Sequence, residues 1–254
     1  MIFAAEETTA TTTTYANTRW KGPFCTVEPS EDMMAATMRI FDFYLMRGNK
    51  IFYNWMIIDT VDLMLQAGHR VLPKSPLREG FVRPPNSMDG IPAPISRLSS
   101  MQDAAVAKQI VESALFYDLT GEPEAGVSSP YWDDDMTWYG PVGFGMATNK
   151  REYEDTFISA VREAFSQREL QIDILTCEGT YCGAHGYLHG NNTGDFLGEK
   201  ASNTQVRLRF GLHYRVDVSR GMIPEGYAIF DLPGFFIQNG INLYERIYDP
   251  AYLL

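Results

Sequence analysis

What this chain of 254 residues has little of narrows its class before any motif is read. Cysteine is scarce. Cys25, Cys177 and Cys182 give an odd count without a CxxC spacing, so neither a disulfide framework nor a thiolate zinc site is expected, and a reducing cytoplasm fits best. Basic residues are outnumbered, 21 Lys and Arg against 32 Asp and Glu, for a net charge of −11. Phosphate backbones need a Lys/Arg-rich face and anionic membrane surfaces attract the same charges, so neither partner is expected. The plain reading of the acidity is a soluble protein held apart by its own charge. No apolar run approaches the length of a membrane span. The start, Met1-Ile2-Phe3-Ala4-Ala5-Glu6-Glu7, lacks the basic flank and long apolar core of a signal peptide. Gly143-x-Gly145 is too short for a phosphate loop. Three consecutive strand residues, Asp133-Asp134-Asp135, cannot all point one way, so a solvated turn is expected there and not a metal clamp.

What is present is aromatic and repetitive. The chain is 45% hydrophobic and 13% aromatic, enough for one large core or two small ones. Asn54 to Gly68 recurs as Gly226 to Gly240, each copy an alternating strand, an Asp and a short apolar helix ending in Gln-x-Gly. The repeat extends further at an offset of 172 residues: Tyr15 pairs with Tyr187, Phe24 with Phe196, Asp59 with Asp231 and Gln66 with Gln238. A repeat of this length implies two domains of one fold. The first copy has no counterpart of residues 98–172, so its sheet needs cover from elsewhere, in this chain or another. The expected organisation is a partial domain over 1–72, mainly strands, a proline-rich linker over 73–97, and a complete domain over 98–254.

Along the chain, the Thr run of residues 8–14 with Tyr15 reads as a strand within 1–19, supported by its partner over 174–188. Strands are expected over 34–46 and 51–58, joined by the hairpin turn Arg47-Gly48-Asn49-Lys50. Ala104, Ala107, Ile110, Val111, Ala114 and Leu115 recur at helical spacing. A short aromatic strand from Trp132, a helix capped by Thr148-Asn149, and strands at about 172–189, 204–217 and 223–231 complete the second domain. This α+β pattern predicts two cone-shaped barrels, each a curved antiparallel sheet with helices on one face, the first incomplete. Such cones hold small apolar ligands.

Trp138-Tyr139-Gly140-Pro141-Val142-Gly143, then Thr193-Gly194-Asp195-Phe196-Leu197-Gly198, then Phe230-Asp231-Leu232-Pro233-Gly234 with Gln238-x-Gly240, resemble the SnoaL-like polyketide (ester) cyclases. The resemblance implies the cone fold of the nuclear-transport-factor superfamily, ring closure of a polyketide ester by intramolecular aldol condensation, no metal or organic cofactor, and homo-oligomers paired through their sheets. Its acid/base residue maps onto Asp231 and, in the first copy, Asp59. One departure stands out: where the family often has His in its Gly-x-His-x-Gly turn, this chain has Asn192.

Asp231 shares a strand face with Tyr227 and Ile229, and Asp59 shares one with Trp55 and Ile57. If that face lines the cone, an apolar surround raises the carboxyl's pKa into the range of proton transfer. The same position is that of a helix N-cap, where the helix end lowers it. His185 and His213 are the candidate partners of Asp231 in acid/base work, and Tyr139, Trp138, Tyr227, Tyr187, His189 and Asn192 the candidate substrate contacts. The histidine spacing matches no metal-ligand pattern. Against the enzyme stand two other readings: a ligand-binding module in which Asp231 only caps, and a pairing domain with cones closed by side chains.

Overall fold

The computed structural model describes residues 2–29, 35–80, 82–85, 97–122 and 127–254. Four antiparallel strands come first, in the order β1 (Phe3–Ala5), β2 (Thr9–Thr18), β3 (Ala36–Arg47) and β4 (Lys50–Ile58), followed by α1 (Thr60–Gln66). The β-branched Thr run forms β2, and Gly48, at φ 58°, makes the tight turn between β3 and β4. Residues 81 and 86–96 of the expected linker, and residue 34 of the expected second strand, lie outside the described residues.

The second unit opens with α2 (Arg97–Leu119) and β5 (Trp132–Tyr139), then the two-residue β6 (Met146–Ala147). Next come α3 (Lys150–Tyr153), a π-helical turn over Glu154–Ile158, and α4 (Ser159–Ala164). Asn149 caps α3 by accepting from Glu152 N at 2.9 Å. Four long strands follow, β7 (Phe165–Glu178), β8 (Tyr181–Asn192), β9 (Gln205–Asp217) and β10 (Met222–Phe230), before α5 (Leu232–Gln238). The sheet order is β6-β5-β10-β9-β8-β7, antiparallel except for β5, which runs parallel to β10. Register shifts in β7 and β10 mark bulges, which bend a sheet. One face carries Leu188, Leu208, Phe210, Tyr214, Ala228 and Phe230 and is packed with Val111, Ala114 and Leu115 of α2. The fold is α+β, a curved sheet with helices on one side.

The other face of this sheet meets the first sheet. Ile2, Ala4, Phe41, Phe43 and Ile57 pack against Tyr139, Ile174, Tyr181, Tyr227 and Ile229 as a second buried layer. Two glycines permit the approach: a Cβ on Gly183 would sit 2.5 Å from the Thr11 methyl, and one on Gly211 would sit 3.0 Å from the Phe43 ring. Each Phe or Ile buried here is worth about 1.5–3 kcal/mol.

Three expectations are corrected. The strand over 172–189 is two strands, because Gly179, at φ 56°, turns β7 back into β8, and the first copy likewise breaks between β1 and β2. That hairpin sets Cys177 opposite Cys182, with Cα atoms 4.1 Å apart, and the two form a disulfide. The constant offset of 172 also slips by two residues in one strand pair. Thr13 faces Phe41 where His185 faces Gly211, so β3 matches β9 at an offset of 170. His213 therefore stands where the first copy has Phe43, and Arg209 where it has Arg39.

With that alignment the two units share details beyond strand order. Gln66 accepts from Thr37 N at 2.9 Å and donates to Thr37 O at 2.8 Å, and Gln238 does the same with Arg207 at 3.0 and 2.9 Å. This gives the Gln of Gln-x-Gly its physical role: its amide pairs with a strand backbone as another strand would. Phe41 packs edge-on against His213 at 4.8 Å, and the matching positions Gly211 and Phe43 also touch. The two sheets thus face each other about an approximate two-fold axis inside one chain. The described part of the expected linker is tied down: Ser75 Oγ donates to Phe144 O at 2.5 Å, and Gly143 N to Glu79 Oε1 at 3.0 Å.

Candidate functional site

The cone of the second unit is filled by its own aromatic rings. Trp138 lies 4.8 Å from Phe157, Phe157 is stacked on Phe230 at 5.2 Å, and Phe144, Phe196 and Phe235 continue the cluster. Trp138, expected to touch substrate, is buried among these side chains. At one end stands a carboxylate that the sequence reading passed over. Asp118, near the end of α2, is buried and accepts from Trp132 Nε1 at 2.7 Å and Tyr153 OH at 3.0 Å. Its Oδ1 has no partner among the described residues. Burial pushes this carboxyl up to about 6, against the pull of Trp132 and Tyr153 and the smaller pulls of Ser129 and the Arg162 charge. The signal was there: Val111, Ala114 and Leu115 set an apolar stripe, and Asp118 falls on it three residues further on.

Asp231 lies elsewhere. Because Ala228 and Phe230 point into the cone, the alternate positions Tyr227, Ile229 and Asp231 face away from it, toward the first sheet's side. Asp231 is half-buried and caps α5, accepting from Gly234 N at 2.9 Å. With Tyr187, Arg207, Arg209, Phe235 and Gln238 it lines a cavity of about 430 Å³. The Arg207 guanidinium sits 5.3 Å over the Tyr187 ring, and ring contacts join Tyr187 to both His189 and His185. His189 also bonds Gln171 Oε1 at 3.0 Å.

His185 and His213 are fully buried between the sheets. His213 Nε2 is 2.5 Å from Thr11 Oγ1, and its ring lies against Phe41 and Phe43. Burial holds it neutral, with its pKa down to about 3. His185 accepts from Arg209 Nε at 2.9 Å and packs against Phe43 and Trp55; burial first, and then the Arg209 charge, lower it to about 4. Tyr139 and Tyr227 stack at 4.8 Å in the same layer. Asn192 has its needs met by a turn, donating to Gly194 O at 2.8 Å and accepting from Ser202 N at 2.9 Å. The structure thus brings Asp231 and Tyr187 together, and places Trp138, Asn192 and His213 in three other surroundings.

Asp59 is the better enclosed of the two candidate carboxylates. It caps α1 through Asp62 N at 3.1 Å and pairs with Arg39 at 3.2 Å, both side chains 3% exposed or less. Arg39 also donates to Gly140 O, Tyr139 O and Ala228 O at 2.9, 3.1 and 3.1 Å, fastening the first unit to the second. Burial raises the Asp59 carboxyl against the pull of Arg39, and burial with the Asp59 charge pushes Asp62 up to about 7. Arg39 went unnoticed in the sequence, although it has the same strand parity as Phe41 and Phe43.

Among the described residues no cluster of His, Cys, Asp and Glu could hold a metal ion, and no helix is long and apolar enough to cross a membrane. No protein-family model and no curated protein matches the chain. Solved structures of similar shape include IdmH, a candidate polyketide cyclase from Streptomyces antibioticus, with 14% identity and a TM-score of 0.45 over 53% of this chain and 99% of that one. A candidate SnoaL-like polyketide cyclase from Jannaschia sp. CCS1 has 17% identity and a TM-score of 0.44 over 60% and 92%. An NTF2-like protein from Burkholderia thailandensis has 17% identity and a TM-score of 0.42 over 53% and 97%. These structures bear the names of the SnoaL-like, nuclear-transport-factor-type family whose motifs this sequence resembles, each matched over roughly half of this chain and nearly all of its own length.

Proposed function

We propose that this chain is a non-catalytic binding scaffold built on the SnoaL-like fold, in which two sheets pair within one polypeptide. One observation carries the reading: the Trp138, Phe157 and Phe230 rings pack on one another inside the cone expected to hold a ligand, while Asp231 turns outward to cap α5. A proton-transfer carboxylate needs a bound carbonyl within hydrogen-bond reach in a water-excluded site. Asp231 has instead a helix amide and a cavity lined by Arg207 and Arg209.

A second reading rests on Asp118. Its unpartnered Oδ1 and its pKa near 6 suit a general acid or base, provided the surrounding rings part to admit a ligand. One assay separates the two. The protein is incubated with an ester carrying a ketone placed for intramolecular aldol closure, and the cyclised product is followed by absorbance. The scaffold predicts the buffer rate. Acceleration that Asp118→Asn abolishes would establish the second reading, and acceleration abolished by Asp231→Asn would restore the family's mechanism.

A further inference from the structure

The two sheets differ at one edge, where the second carries β5 and β6 beyond β10, and the difference leaves a slot. In the second unit β10 has neighbours on both sides, β9 and the parallel β5. Its counterpart β4 pairs, among the described residues, only with β3. Ile51, Phe52, Tyr53 and Met56 of β4 are 59%, 54%, 52% and 47% exposed, an apolar edge of the kind that takes up a further strand.

The place of the absent neighbour is also marked by an arginine. Arg39 spends its terminal nitrogens on the carbonyls of Tyr139 and Gly140 at the end of β5, and on Ala228 O of β10. Arg209 is its register equivalent, opposite Tyr187 as Arg39 is opposite Tyr15. Arg209 uses Nε on His185; its terminal nitrogens meet no acceptor among the described residues and border the cavity of about 430 Å³. The aromatic contacts differ as well. Tyr139 of β5 stacks on Tyr227, whereas Trp55, at the position of Tyr227, is only half-buried beside Tyr53 and His185.

We infer that the β4 edge and the Arg209 cavity form one docking slot for an extended segment of a separate polypeptide, lying parallel to β4 as β5 lies on β10. The occupant's chemistry follows from the template. Its backbone ladders with β4, an aromatic side chain near its end stacks on Trp55, and the carbonyls of that residue and the next bind Arg209. Acidic residues belong at its start, where β4 begins beside Arg47 and Lys50, as Asp133–Asp135 stand at the start of β5. This assignment rests on the scaffold reading and names the partner of that scaffold.

The test uses a fluorescein-labelled peptide with the sequence of Trp132–Pro141, titrated with the full chain and read by fluorescence anisotropy. Saturable binding is expected, about tenfold weaker for Arg209→Gln and lost when alternate peptide amides are N-methylated. The thermal melt of Arg209→Gln is recorded alongside, so that a loss of fold is not mistaken for a loss of contact. Absence of saturable binding, or equal affinity for Arg209→Gln, overturns the slot. So does self-association, seen by sedimentation, that excludes the peptide: a second copy then fills the edge. If the peptide fails while the cyclisation assay stays at the buffer rate, the slot falls and the scaffold reading stands.

Discussion

Tyr15, Arg39 and Asp59 in the first unit, and Tyr187, Arg209 and Asp231 in the second, occupy matching positions in matching strands, yet they live in opposite surroundings. In the first set Arg39 and Asp59 are buried, with Tyr15 partly so, and the two charges neutralise each other under the end of β5. The second set borders an open cavity. Residue identity therefore does not fix the chemistry of either set. What lies over it does, and here the cover is β5, supplied by the second unit to the first and not returned.

The largest expected effect breaks this contrast at the arginines. Arg39→Met leaves Asp59 as a buried uncompensated charge and three carbonyls without their donor, a loss of about 3–5 kcal/mol. Arg209→Met leaves only the neutral His185 short of one donor, a loss of about 1 kcal/mol. Urea unfolding of both variants measures the difference. Equal losses would mean that the cover over Arg39 contributes nothing.

Next in size is the pH response of the layer between the sheets. His213 is neutral when folded, with a pKa near 3, against an unfolded value near 6.5. The unfolded chain thus binds a proton that the folded chain refuses, and stability is lost as pH falls below about 6.5. Comparison with His213→Gln isolates this effect from the buried carboxylates Asp62 and Asp118, whose raised pKa values act in the opposite direction. The stability difference between wild type and variant should shrink by about 1.4 kcal/mol per pH unit between pH 6 and 4. A difference independent of pH would show that His213 is not sealed between the sheets.

Most of the strand order, the caps at Asp59, Asn149 and Asp231, and the burial of the first sheet against another could be read from local pattern, because alternation, capping residues and the Gln-x-Gly ending act over a few positions. The hairpin at Gly179 could not. The β-branched and aromatic residues on both sides of it carry the strand pattern through the turn, and the Cys177–Cys182 pair was hidden with it. The sheet face that carries Asp231 was also undetermined, since both faces of β10 are apolar and both are buried. Arg39 and Asp118 were missed for a related reason: each is a charged residue on a core-facing stripe, and its partners come from segments about 100 and 14 residues away.

The smallest expected effect sharpens the comparison by testing where the units should agree. Gln66 and Gln238 make the same pair of backbone bonds to Thr37 and Arg207, both at solvent-exposed strand ends. Each bond competes with water, so Gln66→Leu and Gln238→Leu should each lower stability by about 1 kcal/mol. The loss should come with faster amide exchange at the Thr37 and Arg207 amides themselves. Because neither glutamine touches the layer between the sheets, parity is the expected outcome here even though the arginines differ. If instead Gln66→Leu proved several-fold more damaging, the burial over Asp59 and Asp62 would have to reach outward through the Gln66–Asp62 bond of 2.8 Å. The boundary between shared frame and one-sided cover would then lie nearer the surface than the register match places it.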